Sequence, residues 1–346
     1  MNQSLTHPFL SILIRSYNRL PSVLEIIDVC LAQDYDHYEI VVMDQSDEAH
    51  WEQTKAVFAR HAGRVRVIRA RPLGSAMAKN LGVHYCKGDI VLFMDDDDLP
   101  LGTGWISAHA RCYVDPLCIG VSGRIVKKLD EPNQYRNRKR AYQRCLTYSF
   151  YKRGRDFTGI DQVKKPVEWL HGMNSSIRRS YILEIGGWYP HVTYFDEHSF
   201  NFKLRKALKP GEYLVFDPTP QAKRRYNIPG GLDKRNTSFN SFLKSQMKYY
   251  HWVVAHHFPF RFFLLYPFVL LDSFIYSARW LRKHSRYSDK IWMPLLGTQA
   301  GQYVIIITGF IILPLLALRY LISPRPQWDG NVENIGEEID LNALKV

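Results

Sequence analysis

The sequence contains no Cys-x-x-Cys pair. Its five cysteines, Cys30, Cys86, Cys112, Cys118 and Cys145, follow no regular spacing. An odd number without metal-ligand spacing excludes a disulfide scaffold and a zinc ribbon, and it points to reduced thiols in a cytosolic setting. Internal repeats and low-complexity tracts are also missing. The opening stretch, MNQSLTHPFLSILIRSYNR, has no basic segment ahead of its apolar run, and that run is short and ends at Arg15. It does not read as a signal peptide, so the body of the chain is expected to stay in the cytoplasm. Acid is in short supply: 33 Asp and Glu stand against 46 Lys and Arg, a net charge of +13. Such an excess asks for an anionic partner, whether nucleic acid, anionic lipid or a phosphorylated small molecule.

Apolar material is plentiful. The 346 residues are 46% hydrophobic and 14% aromatic, enough for a sizeable core. Strand-like runs at 9–14, 38–44, 64–70 and 89–95 alternate with helical patterns after Pro21, over 49–61 and over 74–86. This β-α-β order predicts an α/β fold, a doubly wound and mainly parallel sheet flanked by helices. Ligands of such sheets bind beyond the carboxyl ends of the strands. Arg15–Arg19, Asp44–Asp47 and Asp95–Asp98 all fall at those ends. Further on, a helix over 195–208 begins with acids and ends with bases, and 212–220 reads as another strand.

In GDIVLFMDDDDLP, an apolar strand runs directly into four aspartates. Four adjacent carboxylates repel, and a hard divalent cation bridging to a diphosphate would cancel that repulsion. Asp95 and Asp97, two apart, can aim at one point. The plainer reading is a solvated acidic turn, or a helix N-cap run at Asp98.

Five segments, SILIRSYNR, EIVVMDQSD, GSAMAKNLG with GDIVLFMDDDD, GMNSSIRRSYILEIGGW and FDEHSFNFKLRK, occur in an order and spacing that resembles family 2 glycosyltransferases of the bacterial surface-polysaccharide type, over about residues 8–235. The resemblance implies a GT-A fold and an inverting, metal-dependent hexosyltransferase-like enzyme that uses a nucleotide-diphosphate sugar and Mn²⁺ or Mg²⁺. It makes Asp95 and Asp97 the DxD metal ligands. Arg15, Tyr17, Asn18, Asp44, Gln45, Arg71, Lys79, Asp95 and Asp96 fall at positions that line the nucleotide and diphosphate. Gln45 stands where the family usually has an acid, which leaves UDP, GDP and dTDP open. The family's catalytic acid pair falls on Asp196 and Glu197, with Glu197 at the base position and Asp196 the alternative. Trp169, His171, Met173 and Asn174 fall where acceptor and donor sugar are bordered. The family's later histidine is replaced by AKRRYN, whose bases could meet phosphate instead.

From about residue 236 the chain turns aromatic, apolar and basic together. Residues 303–322 have about the length of a bilayer span, and 258–280 reads as an in-plane element. The expected division is a catalytic domain over 1–235, membrane-associated helices over 236–325 and a polar tail over 326–346. The expected partners are a nucleotide-sugar donor, a lipid-linked or glycan acceptor and an anionic membrane, met from its cytoplasmic face. Nucleic acid is not among them, because an acid cluster and an apolar C-terminal region serve neither DNA nor RNA. A nucleotidyltransferase is the nearest rival enzyme, but RSYNR is not the Gly-rich phosphate loop that it would need.

Overall fold

Strand β1 (Leu10–Ser16) is buried at six of its seven positions, as an interior parallel strand covered on both faces must be. Its alternate side chains feed two cores. Leu10, Ile12 and Ile14 enter one, with Val23, Ile26 and Ile27. Leu13 enters the other, with Val41, Met43, Trp188 and Phe200. The computed structural model describes residues 7–126, 162–190, 196–225, 228, 330 and 335–344. All of them belong to one folding unit; a second, comprising 136–153 and 235–326, lies outside the described residues.

Helix α1 (Leu20–Leu31) has Pro21 in its first turn, where a fixed φ is accommodated. Then follow β2 (Tyr38–Asp44), α2 (Glu48–Ala59), β3 (Val65–Ala70), α3 (Ser75–Tyr85), β4 (Ile90–Asp95) and β5 (Asp98–Leu101). The chain continues through α4 (Trp105–Cys112), β6 (Cys118–Val126), β7 (Lys165–Val167), β8 (Ser175–Arg178) and α5 (Arg179–Glu184). Last come α6 (Asp196–Ala207), β9 (Tyr213–Arg224) and β10 (Gly336–Glu338). The sheet order is β10-β3-β2-β1-β4-β8-β6-β9-β5, with β7 on β9.

Strands β3, β2, β1 and β4 are parallel, as the sequence pattern predicts. Beyond β4 the pairing is mixed, because β5 and β8 enter through loops rather than βαβ crossovers. The chain leaves β1 for β2 on one side and returns to β4 on the other. That reversal is the topological switch point where a crevice opens. One strand comes from the acidic tail: β10 runs antiparallel to β3, and Glu338 grips Arg66 at 2.7 and 2.8 Å. Composition set 326–346 apart, yet part of it closes an edge of the sheet. The four described cysteines are free and buried.

Candidate active site

The register places the polar strand ends side by side. Arg15 lies opposite Asp95, and Ser16 opposite Asp44. From Asp95 to Asp98 burial alternates, so that 95 and 97 are partly open while 96 and 98 turn inward. Each of the four carboxylates meets an arginine. Arg15 pairs with Asp95 and donates to Ser75 Oγ at 2.7 Å. Arg19 holds Asp96 at 2.8 Å and Asp97 at 3.4 Å. Arg224 reaches Asp98, Asp97 and Asp95 at 3.0, 3.1 and 3.5 Å. Even so, burial pushes the Asp96 carboxyl up to about 6, and Arg19 only partly offsets it. Asp97 moves the same way, chiefly through burial.

A second acidic site stands beside the first. Helix α6 opens with Asp196 and Glu197 and closes with Arg205 and Lys206, the order its dipole favours. Asp196 accepts from Lys79 at 2.8 Å and from Ser75 Oγ at 3.2 Å. The Ser75 hydroxyl therefore joins the two sites, receiving from Arg15 and giving to Asp196. Burial opposes the Asp196 charge, but Lys79, Arg15 and Ser75 together hold its carboxyl below the usual range. Glu197 differs. No side chain among the described residues donates to its carboxylate. Burial pushes it up; Lys79 pulls back, while Asp196 and Asp95 add to the rise. Its Oε1 lies against Gly172, where any Cβ would collide with it. Lys79 is itself almost fully buried. Its helix is tied to the Gly186–Gly187 turn through Asn80, which binds both the N–H and the C=O of Trp188. Gly187, at φ 57°, tolerates both that conformation and the Asn80 side chain against it.

The sequence profile of glycosyl transferase family 2 matches residues 11–186, just over half of the chain. The chain belongs to glycosyl transferase family 2. Among curated relatives, the glycosyltransferase GlyG of Streptococcus pneumoniae is 29% identical over 91 residues, 26% of this chain and 30% of that protein. A glucosyl-dolichyl phosphate glucuronosyltransferase of Haloferax volcanii is 24% identical over 174 residues, 50% of this chain and 53% of that one. The chain thus spans about half or less of the length of these relatives. A solved mannosyltransferase from Pyrobaculum calidifontis, in complex with GDP-Man and Mn²⁺, shares the fold at a TM-score of 0.50 and 16% identity, covering 91% of this chain and 87% of that one.

For this family 2 chain, the site residues expected from sequence divide into two sets. Arg15, Lys79, Asp95, Asp97, Asp196 and Glu197 meet at one edge of the sheet. Tyr17 reaches the acid loop through its backbone N–H, 3.3 Å from Asp96. Met173 touches Arg224, and Arg71 is exposed after β3. Trp169 is buried edge-on against His198, and His171 is half-buried with its N–H 3.2 Å from Ser122 Oγ.

The remaining positions are taken up by the fold. Asn18 braces Asp47 at 2.8 and 3.0 Å. Asp44 is buried on Arg69 at 2.8 Å. Gln45 is buried and its amide oxygen accepts the Leu73 N–H at 2.7 Å. Asp96 was expected to face the donor, but it points inward because the chain alternates. Asn174 was expected to border a sugar. Instead it is fully buried, its amide joining Trp105, His109, Arg124 and Pro220. Asp98 caps no helix; it starts β5 opposite Arg224.

Arg19 and Arg224 are the cations on which the sequence reading placed too little weight. Strand β9 runs four residues past its expected end at 220, because Pro218 and Pro220 sit in it without ending it. That extension carries Arg224 to the acids.

The donor set suits a hard divalent cation. Oxygens of Asp95, Asp97 and Asp98 lie within 4.8 Å of one another, and all are carboxylate. Asp98 is completely buried, so Asp95 and Asp97 are the accessible pair. The segments 258–280 and 303–322 lie outside the described residues. Among the described ones, no helix is long and apolar enough to cross a membrane.

Proposed function

We propose that the chain transfers a sugar from a nucleoside-diphosphate donor to a hydroxyl of a glycan acceptor, with inversion at the anomeric carbon. The observation that carries this reading is the unequal acid pair of α6. Asp196 is neutralised by Lys79, whereas Glu197 has no such partner among the described residues, is raised by burial and lies on the edge that holds the acid loop. A carboxylate poised in this way suits a general base. Glu197 takes the acceptor hydroxyl proton. The acceptor oxygen then bonds to the anomeric carbon as the bond from that carbon to the diphosphate oxygen breaks, and the diphosphate leaves with the electron pair. Asp95 and Asp97 would hold Mn²⁺ or Mg²⁺, which when bound offsets charge on the leaving diphosphate. On this reading Arg15 and Arg71 serve the donor, and Trp169 and His171 the sugars, as the family resemblance implies.

The acceptor is proposed to be lipid-linked and met at the cytoplasmic face of an anionic membrane. The net charge of +13 and the basic, aromatic, apolar composition after residue 236 support this. So does the Haloferax relative, named for a dolichyl phosphate substrate. A thermal-shift panel of UDP-, GDP- and dTDP-sugars with Mn²⁺ or Mg²⁺, run with and without anionic vesicles, tests the proposal. One donor should raise Tm in a metal-dependent way, and the protein should sediment with the vesicles. No stabilisation by any donor would overturn the transferase reading, and full-length protein left in the supernatant would overturn its membrane setting.

A further inference from the structure

A single nitrogen, Nη2 of Arg224, lies within hydrogen-bonding reach of three carboxylates: Asp98 at 3.0 Å, Asp97 at 3.1 Å and Asp95 at 3.5 Å. These are the three acids whose oxygens converge as a cation site. We propose that Arg224 is the built-in occupant of that position, so that a divalent cation and the donor diphosphate bind together rather than one at a time. The inference rests on the reading that Asp95 and Asp97 take a metal.

The geometry gives the side chain a fixed end and a displaceable end. The Arg224 backbone is held opposite Asp98 in the β5–β9 ladder. Its Nε donates to Asp98 Oδ1 at 3.1 Å, and Asp98 has no exposed surface. The contacts of Nη2 to Asp95 and Asp97 are different. Both of those side chains are about a quarter exposed, so they can be reached from the crevice. A dication cannot share that spot with a guanidinium, since like charges held in contact repel strongly at a protein surface. Metal arriving alone must therefore expel Nη2 from the carboxylates that now neutralise it. When a diphosphate arrives with the metal, the expelled guanidinium gains charge-assisted hydrogen bonds to phosphate oxygen. Arg224 thereby couples the two ligands, and linkage makes the coupling reciprocal.

The test is a Mn²⁺ titration of full-length protein, with free Mn²⁺ followed by electron paramagnetic resonance, in the presence and absence of UDP or GDP. Wild type should bind Mn²⁺ alone weakly, and a nucleoside diphosphate should tighten it on the order of tenfold. Arg224→Gln should bind Mn²⁺ alone about tenfold more tightly than wild type and lose most of the nucleotide effect. Because that variant strands buried Asp98, the double variant Arg224→Gln/Asp98→Asn, which removes both partners, should show the same loss of nucleotide dependence. Equal Mn²⁺ affinity in wild type and Arg224→Gln would overturn the role of Arg224 while leaving the transferase reading intact. Absence of Mn²⁺ binding in every variant, with or without diphosphate, would remove the metal from Asp95 and Asp97 and so overturn both.

Discussion

Two acidic sites share one edge of the sheet, and they are balanced in opposite ways. In the loop after β4, three arginines neutralise four aspartates, and Arg224 alone serves three of them. At the start of α6, one lysine pairs with one acid, and its neighbour has no ion pair among the described residues. Ser75 stands between the two sites and bonds to both. The first arrangement stores negative charge that can be exchanged for a ligand. The second holds a carboxylate whose proton affinity has been raised. On the proposed reading, the placement of cations gives binding and proton transfer to separate carboxylates, since the acids themselves are chemically alike.

The largest expected effect comes from removing the unbalanced acid. Glu197→Gln should lower kcat by roughly 10²–10⁴-fold, the usual worth of a positioned base, while donor binding by thermal shift stays near wild type. The acidic limb of the wild-type pH–rate profile should lie above the ordinary carboxylate range, because burial raises Glu197, and it should vanish in the variant. Near-normal turnover by Glu197→Gln would move the base to Asp196. A smaller effect should follow from Gly172→Ala. Its Cβ would collide with Glu197 Oε1 and displace a side-chain end rather than backbone. The fold should survive, and kcat should fall by up to about 100-fold, with the donor KM little changed. An unaltered kcat would show that the Glu197 position does not limit the reaction.

Part of this arrangement was legible in the sequence because it depends on local pattern. The alternation of apolar runs gives the parallel half of the sheet, and the switch point follows from it. Asp95 and Asp97 stand out because a two-residue period keeps them on one side. The partners of these acids were harder to read. Arg224 lies 126 residues beyond Asp98 and reaches it only because β9 pairs with β5 past two prolines. Asn174 looked like a sugar-facing polar residue, but its left-handed backbone, φ 47°, turns it into the core, where Trp105 and His109 claim its oxygen. Residues 336–338 resembled a tail by composition, and the edge of β3, with Arg66 and Tyr85, gives them partners. In each case the missing information is a long-range contact that carries no local periodicity.

The smallest expected effect separates the two sites by the sign of their pH dependence. Folding lifts Asp96 from the ordinary value near 4 to about 6. Between those values the folded state keeps a proton that the unfolded chain has released, so stability falls as pH rises through that window and levels off above it. Burial moves Asp97 and Asp98 in the same direction. Asp196 behaves oppositely: its folded value is lowered, so its contribution is present above the unfolded value and is lost as pH falls below about 4. Without divalent cation, the loop should therefore contribute a decline in stability from pH 4 to pH 6, set against the rise contributed by buried His109, whose folded value is lowered to about 4. Asp96→Asn should flatten that decline by no more than about 2–3 kcal/mol, since two pKa units set the ceiling. A pH dependence of Tm that Asp96→Asn leaves unchanged relative to wild type would mean that Arg19 and Arg224 already neutralise the loop fully. The contrast between an exchangeable acid cluster and a fixed acid–base pair would then be lost.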